Sequence, residues 1–202
     1  MILYFLVSFV FLMIAVTVHE FAHGWTAYKL GDTTAKYSGR LTLNPLAHID
    51  PIWTLIIPLL LFYSTGGRFI FGAAKPVPIN YWALKDPKRD IILVGAAGPA
   101  ANLILAIILG LAAKLMPYTS ATAFIFGNLI LINVVLAIFN LIPIPPLDGS
   151  RILMGLLPTD ISQRYASIEP YGFIILIILV WLGVINRIIW PIIEAILKLL
   201  GV

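Results

Sequence analysis

The sequence predicts an all-α polytopic membrane protein: a transmembrane helix bundle with a small β element and a re-entrant or interfacial segment near the cytoplasmic face. Three observations point there. Of 202 residues, 61% are hydrophobic and only 11% charged, against about 25% charged in a soluble domain. The mean hydropathy is +1.02. Several apolar runs are long enough to cross a bilayer, which takes about 17–25 residues. One domain, residues 1–202, is expected, since there is no internal repeat and no low-complexity linker. The basic surplus, 13 Lys and Arg against 9 Asp and Glu, reads in such a chain as cytoplasmic loops. No nucleic-acid partner is expected. With no cysteine, disulfides and thiolate ligands are excluded, so any metal must be held by His, Asp or Glu.

Taken in order, residues 2–28 read as one helix, apolar first, with Trp25, Tyr28 and Lys29 as an interfacial belt. Its opening residues lack the basic start and small-residue cleavage site of a signal peptide, so they are expected to stay in the mature protein. Gly31-Asp32 ends this helix. Residues 36–50 alternate loosely around Gly39-Arg40 and close on Asn44-Pro45, which predicts a short strand and a turn. The run from Pro51 to Tyr63 is apolar but short. A loop with Gly66-Gly67 and Lys75-Pro76-Val77-Pro78 follows. Long helices are then predicted over 91–113 and 121–141. Asn140 to Gly149, NLIPIPPLDG, reads as a proline-stiffened extended stretch. A further span begins over 171–185. The stretch 188–200 is a last helix that either spans or lies in the interface, with Glu194 and Lys198 spaced i, i+4.

His19-Glu20-Phe21-Ala22-His23 closes the first apolar run, where a charge at the bilayer centre costs about 2.5–3.5 kcal/mol even on insertion scales. Residues i and i+4 share a helix face. Both imidazoles can therefore bind one Zn²⁺, and Glu20 beside the metal can deprotonate its water. This pattern points to one zinc ion per chain and to a protease working inside a membrane. A third protein ligand is needed. Asp148 lies in an apolar, proline-rich segment, where an unpaired carboxylate is penalised. Asp50 precedes Pro51 and reads as a helix cap, and His48, in the same loop, reads as structural or interfacial.

Topology weighs on this choice. His19 lies about 25 Å along its helix at 1.5 Å per residue, near the exit face. Asp148 follows the exit end of the helix over 121–141. For the two to meet, the chain must cross an even number of times between them, which requires 51–63 not to cross. Charge agrees: one side then holds ten basic residues from Lys29 to Arg164 and the other only Lys114, Arg187 and Lys198, a positive-inside split. The site is expected toward the cytoplasmic side of a multi-pass protein of the cell membrane.

HExxH in the first helix, GPxxN at Gly98–Asn102 and NxxPxPPLDG at Asn140–Gly149 together make the chain resemble the site-2 proteases, intramembrane zinc metalloproteases. The stretches GRLTLNPLAHIDP at Gly39–Pro51 and AKPVPIN at Ala74–Asn80 resemble the compact prokaryotic branch, without PDZ or CBS domains. The resemblance implies His19, His23 and Asp148 as zinc ligands and Glu20 as the general base. It implies that Asn140 holds the substrate backbone or polarises its carbonyl, and it places Asn102 near the site. The implied activity is hydrolysis of peptide bonds in or near transmembrane segments, as in regulated intramembrane proteolysis. Its partners are a transmembrane protein substrate and the lipid bilayer, and nothing in the sequence sets the oligomeric state. Strand-like segments near 39–43 and 75–79 are expected to pair with an unwound substrate. The competing reading is a non-catalytic membrane scaffold on the same fold. Against it stand the intact HExxH and LDG, since a pseudoenzyme is free to lose Glu20.

An accessibility tag placed at Gly66-Gly67 should react only from the cytoplasmic side. Reaction from outside would make 51–63 a span and separate Asp148 from the histidines.

Overall fold

The computed structural model describes residues 2–66, 72 and 74–202. Among the described residues, four helical stretches are long and apolar enough to cross a membrane: Tyr4–Lys29, Pro87–Leu115, Ser120–Asn140 and Thr159–Trp181. The first, within α1 (Ile2–Lys29), ends on Lys29, whose ammonium lies over the Trp25 ring. A four-residue turn, α2 (Thr34–Tyr37), follows. Pro51–Thr65 is a shorter apolar helix, π-helical over Pro51–Ile56 and then α3 (Ile57–Thr65). Asp50 caps it, accepting the Ile52 and Trp53 N–H groups, as the Asp-Pro pair predicts. Its helical length sets it apart from the spans, in keeping with a segment that does not cross. Gly67 and Arg68, which enter the topology argument, lie outside the described residues.

The expected β element is corrected. Among the described residues there is no strand. Residues 45–48 form a 3₁₀ turn instead, with Asn44 accepting the Leu46 N–H. The chain after Ala74 cannot offer a regular ladder, because Pro76 and Pro78 have no N–H. The Lys75 and Pro76 carbonyls are also taken by the Arg40 guanidinium.

The spans pack as a bundle. The next two elements are α4 (Pro87–Leu115) and α5 (Ser120–Asn140). Each begins on a side-chain cap, with Asp86 on the Arg89 N–H and Thr119 on the Thr122 N–H. α4 packs against both α1 and α5. The loop after α5 is a series of turns rather than an extended stretch. It leads into α6 (Asp148–Leu156), which the sequence reading missed, and then α7 (Thr159–Ala166) and α8 (Gly172–Trp181). Gly183, with φ +74°, breaks the chain beyond α8. The last helix, α9 (Trp190–Leu200), packs into the bundle beside α4 and α5, where Ile193 joins Ala106, Ile130 and Val134 in one buried cluster. A second apolar cluster, Ala27, Leu84 and Val94, closes the other end. Between them lies a layer of buried polar side chains: Thr17, His19, His23, Asn102 and Asn133.

Helix α6 reaches α4 through small residues. A methyl at Gly155 would meet the Lys88 carbonyl oxygen at 2.8 Å and Ile91 Cγ2 at 2.9 Å. Overpacking of this kind costs about 1–3 kcal/mol. Gly155→Ala should therefore lower the thermal unfolding midpoint in detergent, while Gly39→Ala, with no atom near its methyl position, should show only its local backbone strain.

Candidate metal centre

Three elements far apart in sequence place three ligand atoms together. His19 and His23 lie one turn apart on α1, and Asp148 opens α6. His19 Nε2 and His23 Nε2 are 3.0 Å apart. Asp148 Oδ2 lies 3.0 Å from the first and 3.1 Å from the second. Both imidazoles are buried, at 5% and 6% exposure. Ligands about 2.0–2.1 Å from a tetrahedral zinc ion stand roughly 3.3 Å apart, so these separations suit that ion with little adjustment.

The outward ring nitrogens fix which atoms face inward. His23 Nδ1 lies 2.7 Å from the Val94 carbonyl oxygen, which can only accept. His19 Nδ1 lies 2.6 Å from Asn102 Oδ1. With both Nδ1–H groups donating outward, two Nε2 lone pairs and the Asp148 carboxylate converge. A bound cation satisfies all three atoms at once. Asp148 brings a carboxylate oxygen to the same point, the anionic member of the trio.

Local sequence makes this convergence possible. A methyl at Gly98 would run into both histidine rings, at 2.7 Å from His19 Nε2. Gly95 is close against α6, though less so, since its methyl would stand 3.1 Å from the Asp148 carbonyl oxygen. The glycine after Asp148 matters too. A side chain at Gly149 would overlap the Leu141 and Ile142 carbonyls, so α6 can start under that turn only with glycine there. Arg151 then pins α6 from behind. Its guanidinium pairs with the Glu169 carboxylate at 2.5 and 3.2 Å and lies over the Tyr81 ring. Burial pushes the Tyr81 phenol up, so that side chain stays neutral beside the site.

Glu20 meets the chain at 74–80. Its Oε2 accepts the Val77 N–H at 2.7 Å. That segment forms a strap across the end of α1. Arg40 donates to the Lys75 carbonyl at 2.6 Å, the Lys75 N–H donates to the His48 carbonyl, and Asp32 accepts the Asn80 N–H at 2.7 Å. Val77 lies so close over α1 that a methyl at Gly24 would stand 3.0 Å from its Cγ1.

The profile of Peptidase family M50 matches residues 7–128 and 114–182. The chain belongs to this family. "Putative zinc metalloprotease YwhC" of Bacillus subtilis is 39% identical over 193 residues, covering 91% of this chain and 84% of that protein. "Putative zinc metalloprotease Rip2" of Mycolicibacterium smegmatis is 32% identical over 177 residues, 87% of this chain and 66% of that protein. The chain thus spans just under two thirds of that second relative. No solved structure matches the chain significantly.

Within this M50 fold, the structure brings together His19, His23 and Asp148 and leaves the other two candidate ligands elsewhere. His48 is fully buried with Nε2 on the Thr42 carbonyl, and Asp50 remains a helix cap. Asn140 is not joined to the trio: its Nδ2 donates to the Leu136 carbonyl of its own helix. The sequence reading missed the Val94 carbonyl, the Val77 N–H and the buried anchors Arg40 and Asp32. The first two are backbone groups and carry no side-chain signal. Asp32 was visible only as a helix stop.

Removing Arg40 should free the strap. In Arg40→Ala, hydrogen exchange at the Val77 amide should speed up at least about tenfold, given about 1.5–3 kcal/mol for a hydrogen bond to a charged group. Unchanged exchange would mean that Asp32 and Glu20 suffice to hold the strap.

Proposed function

We propose that this chain is an intramembrane endopeptidase that cuts other membrane proteins in or near their transmembrane segments, from a site toward the cytoplasmic side of the cell membrane. Membership of peptidase family M50, and relatives named zinc metalloproteases, make it a zinc metalloprotease of a multi-pass membrane type. One observation carries the intramembrane reading. Two imidazoles and a carboxylate converge within 3.1 Å, next to a glutamate, inside a bundle of apolar helices.

In this reading His19, His23 and Asp148 hold the metal. A zinc ion held there would supply a water of pKa lowered toward about 7 and a Lewis acid for the scissile carbonyl. Glu20 receives the water's proton on a carboxylate oxygen and returns it to the leaving amine. The Val77 N–H on Oε2 keeps that carboxylate oriented. Asn140, at the end of α5, contacts the substrate rather than the metal.

Substrate geometry follows from the solvent. A helix in lipid satisfies its backbone groups internally, and each freed group costs several kcal/mol there. The peptide must therefore unwind before the bond reaches Glu20. The strap at 75–80 and the turns at 141–147 flank the place where that unwound stretch would lie.

Glu20→Gln should keep near-stoichiometric zinc in detergent-purified protein while cleavage of a transmembrane reporter falls about 10²–10⁴-fold, the usual share of a general base. Asp148→Ala should lose the zinc itself. Wild-type cleavage by Glu20→Gln would sink the mechanism. A well-folded wild type without zinc would favour the non-catalytic scaffold.

A further inference from the structure

We propose that Asn133, on α5, is a positioning residue of the metal centre: it acts through Asn102 to lock His19 in the tautomer that presents Nε2 to the metal. The inference rests on His19, His23 and Asp148 being the metal ligands.

The observation is a relay of hydrogen bonds that runs across three helices. Asn133 Nδ2 donates to the Leu129 carbonyl at 2.8 Å. Asn133 Oδ1 accepts from Asn102 Nδ2 at 2.8 Å, and the same Nδ2 donates to the Ala15 carbonyl at 3.0 Å. Asn102 Oδ1 then faces His19 Nδ1 at 2.6 Å. Both asparagines are fully buried, at 0% exposure.

The relay has one polarity. Its two ends on the far side of His19 are backbone carbonyls, which can only accept. Leu129 O therefore takes a hydrogen from the Asn133 amide nitrogen and leaves Oδ1 to face Asn102. Both hydrogens of Asn102 Nδ2 are then in use, on Ala15 O and on Asn133 Oδ1. An amide flip at Asn102 would set its oxygen against two acceptors with no proton between them. Its oxygen must face His19, so His19 carries its proton on Nδ1 and turns the Nε2 lone pair toward His23 and Asp148. Without Asn133, one of these two acceptors is gone, and the flip leaves only Ala15 O opposed.

Other asparagines on α5 mark the difference. Asn128 and Asn140 make the same bond to the carbonyl four residues back. That bond satisfies an amide nitrogen in an apolar setting and needs nothing more. Of the three, Asn133 alone is wholly buried and continues into a second side chain. Outer partners of metal-bound histidines typically carry about 10–100-fold in metal affinity. Asn133 lies one partner further out, and its effect passes through Asn102 alone.

The experiment is zinc affinity of the purified full chain by competition with a chelator. Wild type is measured first, since absence of zinc there defeats the ligand assignment itself before any variant is made. With zinc bound, Asn133→Leu and Asn133→Ala should weaken affinity by about 10-fold or more, with alanine covering the case in which leucine does not fold. Asn133→Asp should stay within about threefold, because a buried neutral carboxyl keeps a carbonyl toward Asn102 and an O–H toward Leu129. In an Asn102→Ala background, Asn133→Leu should add no further loss. Wild-type affinity in both Asn133→Leu and Asn133→Ala would overturn the proposal. So would a loss of equal size in the Asn102→Ala background, or Asn133→Asp as weak as Asn133→Leu, since either places the effect in packing.

Discussion

The close approach of α4 to α1 at Gly98 is the constraint on which the centre depends. The histidine rings occupy the space where a side chain at 98 would sit. With that gap open, the Val94 carbonyl and the Asn102 amide, on either side of Gly98 along α4, reach the outward nitrogens of His23 and His19. One missing methyl thus sets both ring orientations. Gly95, on the same helix, does the equivalent for α6 and lets the Asp148 backbone come against α4. In a membrane, where hydrophobic driving force between helices is absent, small residues of this kind are what bring backbones close enough for polar groups to meet.

Around this contact the protein separates two environments. Apolar clusters lie on either side of the polar layer, one with Ile130, Val134 and Ile193 and the other with Leu84 and Val94. Inside the layer, each imidazole has an outer partner on its Nδ1 side. That is the expected result of burying polar groups where water cannot serve them. Glu20 is treated differently. It is half-buried, on the side of the strap, and one of its oxygens meets a single backbone N–H. The general-base role proposed for Glu20 would be better served by that than by a carboxylate with every lone pair occupied.

Much of this was legible in the chain. HExxH at the end of an apolar run gave two candidate ligands and a candidate base through helical periodicity, and the apolar, proline-rich setting of Asp148, with the resemblance, put it ahead of His48 and Asp50. The first three long helices came out within about four residues of their observed ends, whereas the fourth stretch, expected over 171–185, runs over Thr159–Trp181. The strand expected over 36–50 failed for a local reason: alternation there reflects a capped 3₁₀ turn and an arginine that occupies the carbonyls a ladder would need. Helix α6 was hidden by the prolines before it, although its glycines and Arg151 have clear partners once α4 and Glu169 are beside them.

By itself the sequence determined the class of molecule and the residue types that can hold a metal, because those follow from hydropathy, residue chemistry and spacing along one helix. The tertiary structure decided which backbone groups serve the site. The Val94 carbonyl, the Val77 N–H and the Leu129 carbonyl belong to the main chain, which is the same at every position of a sequence. Only the packing of α1, α4 and α5, and the anchoring of the strap by Arg40 and Asp32, select these three from all the others.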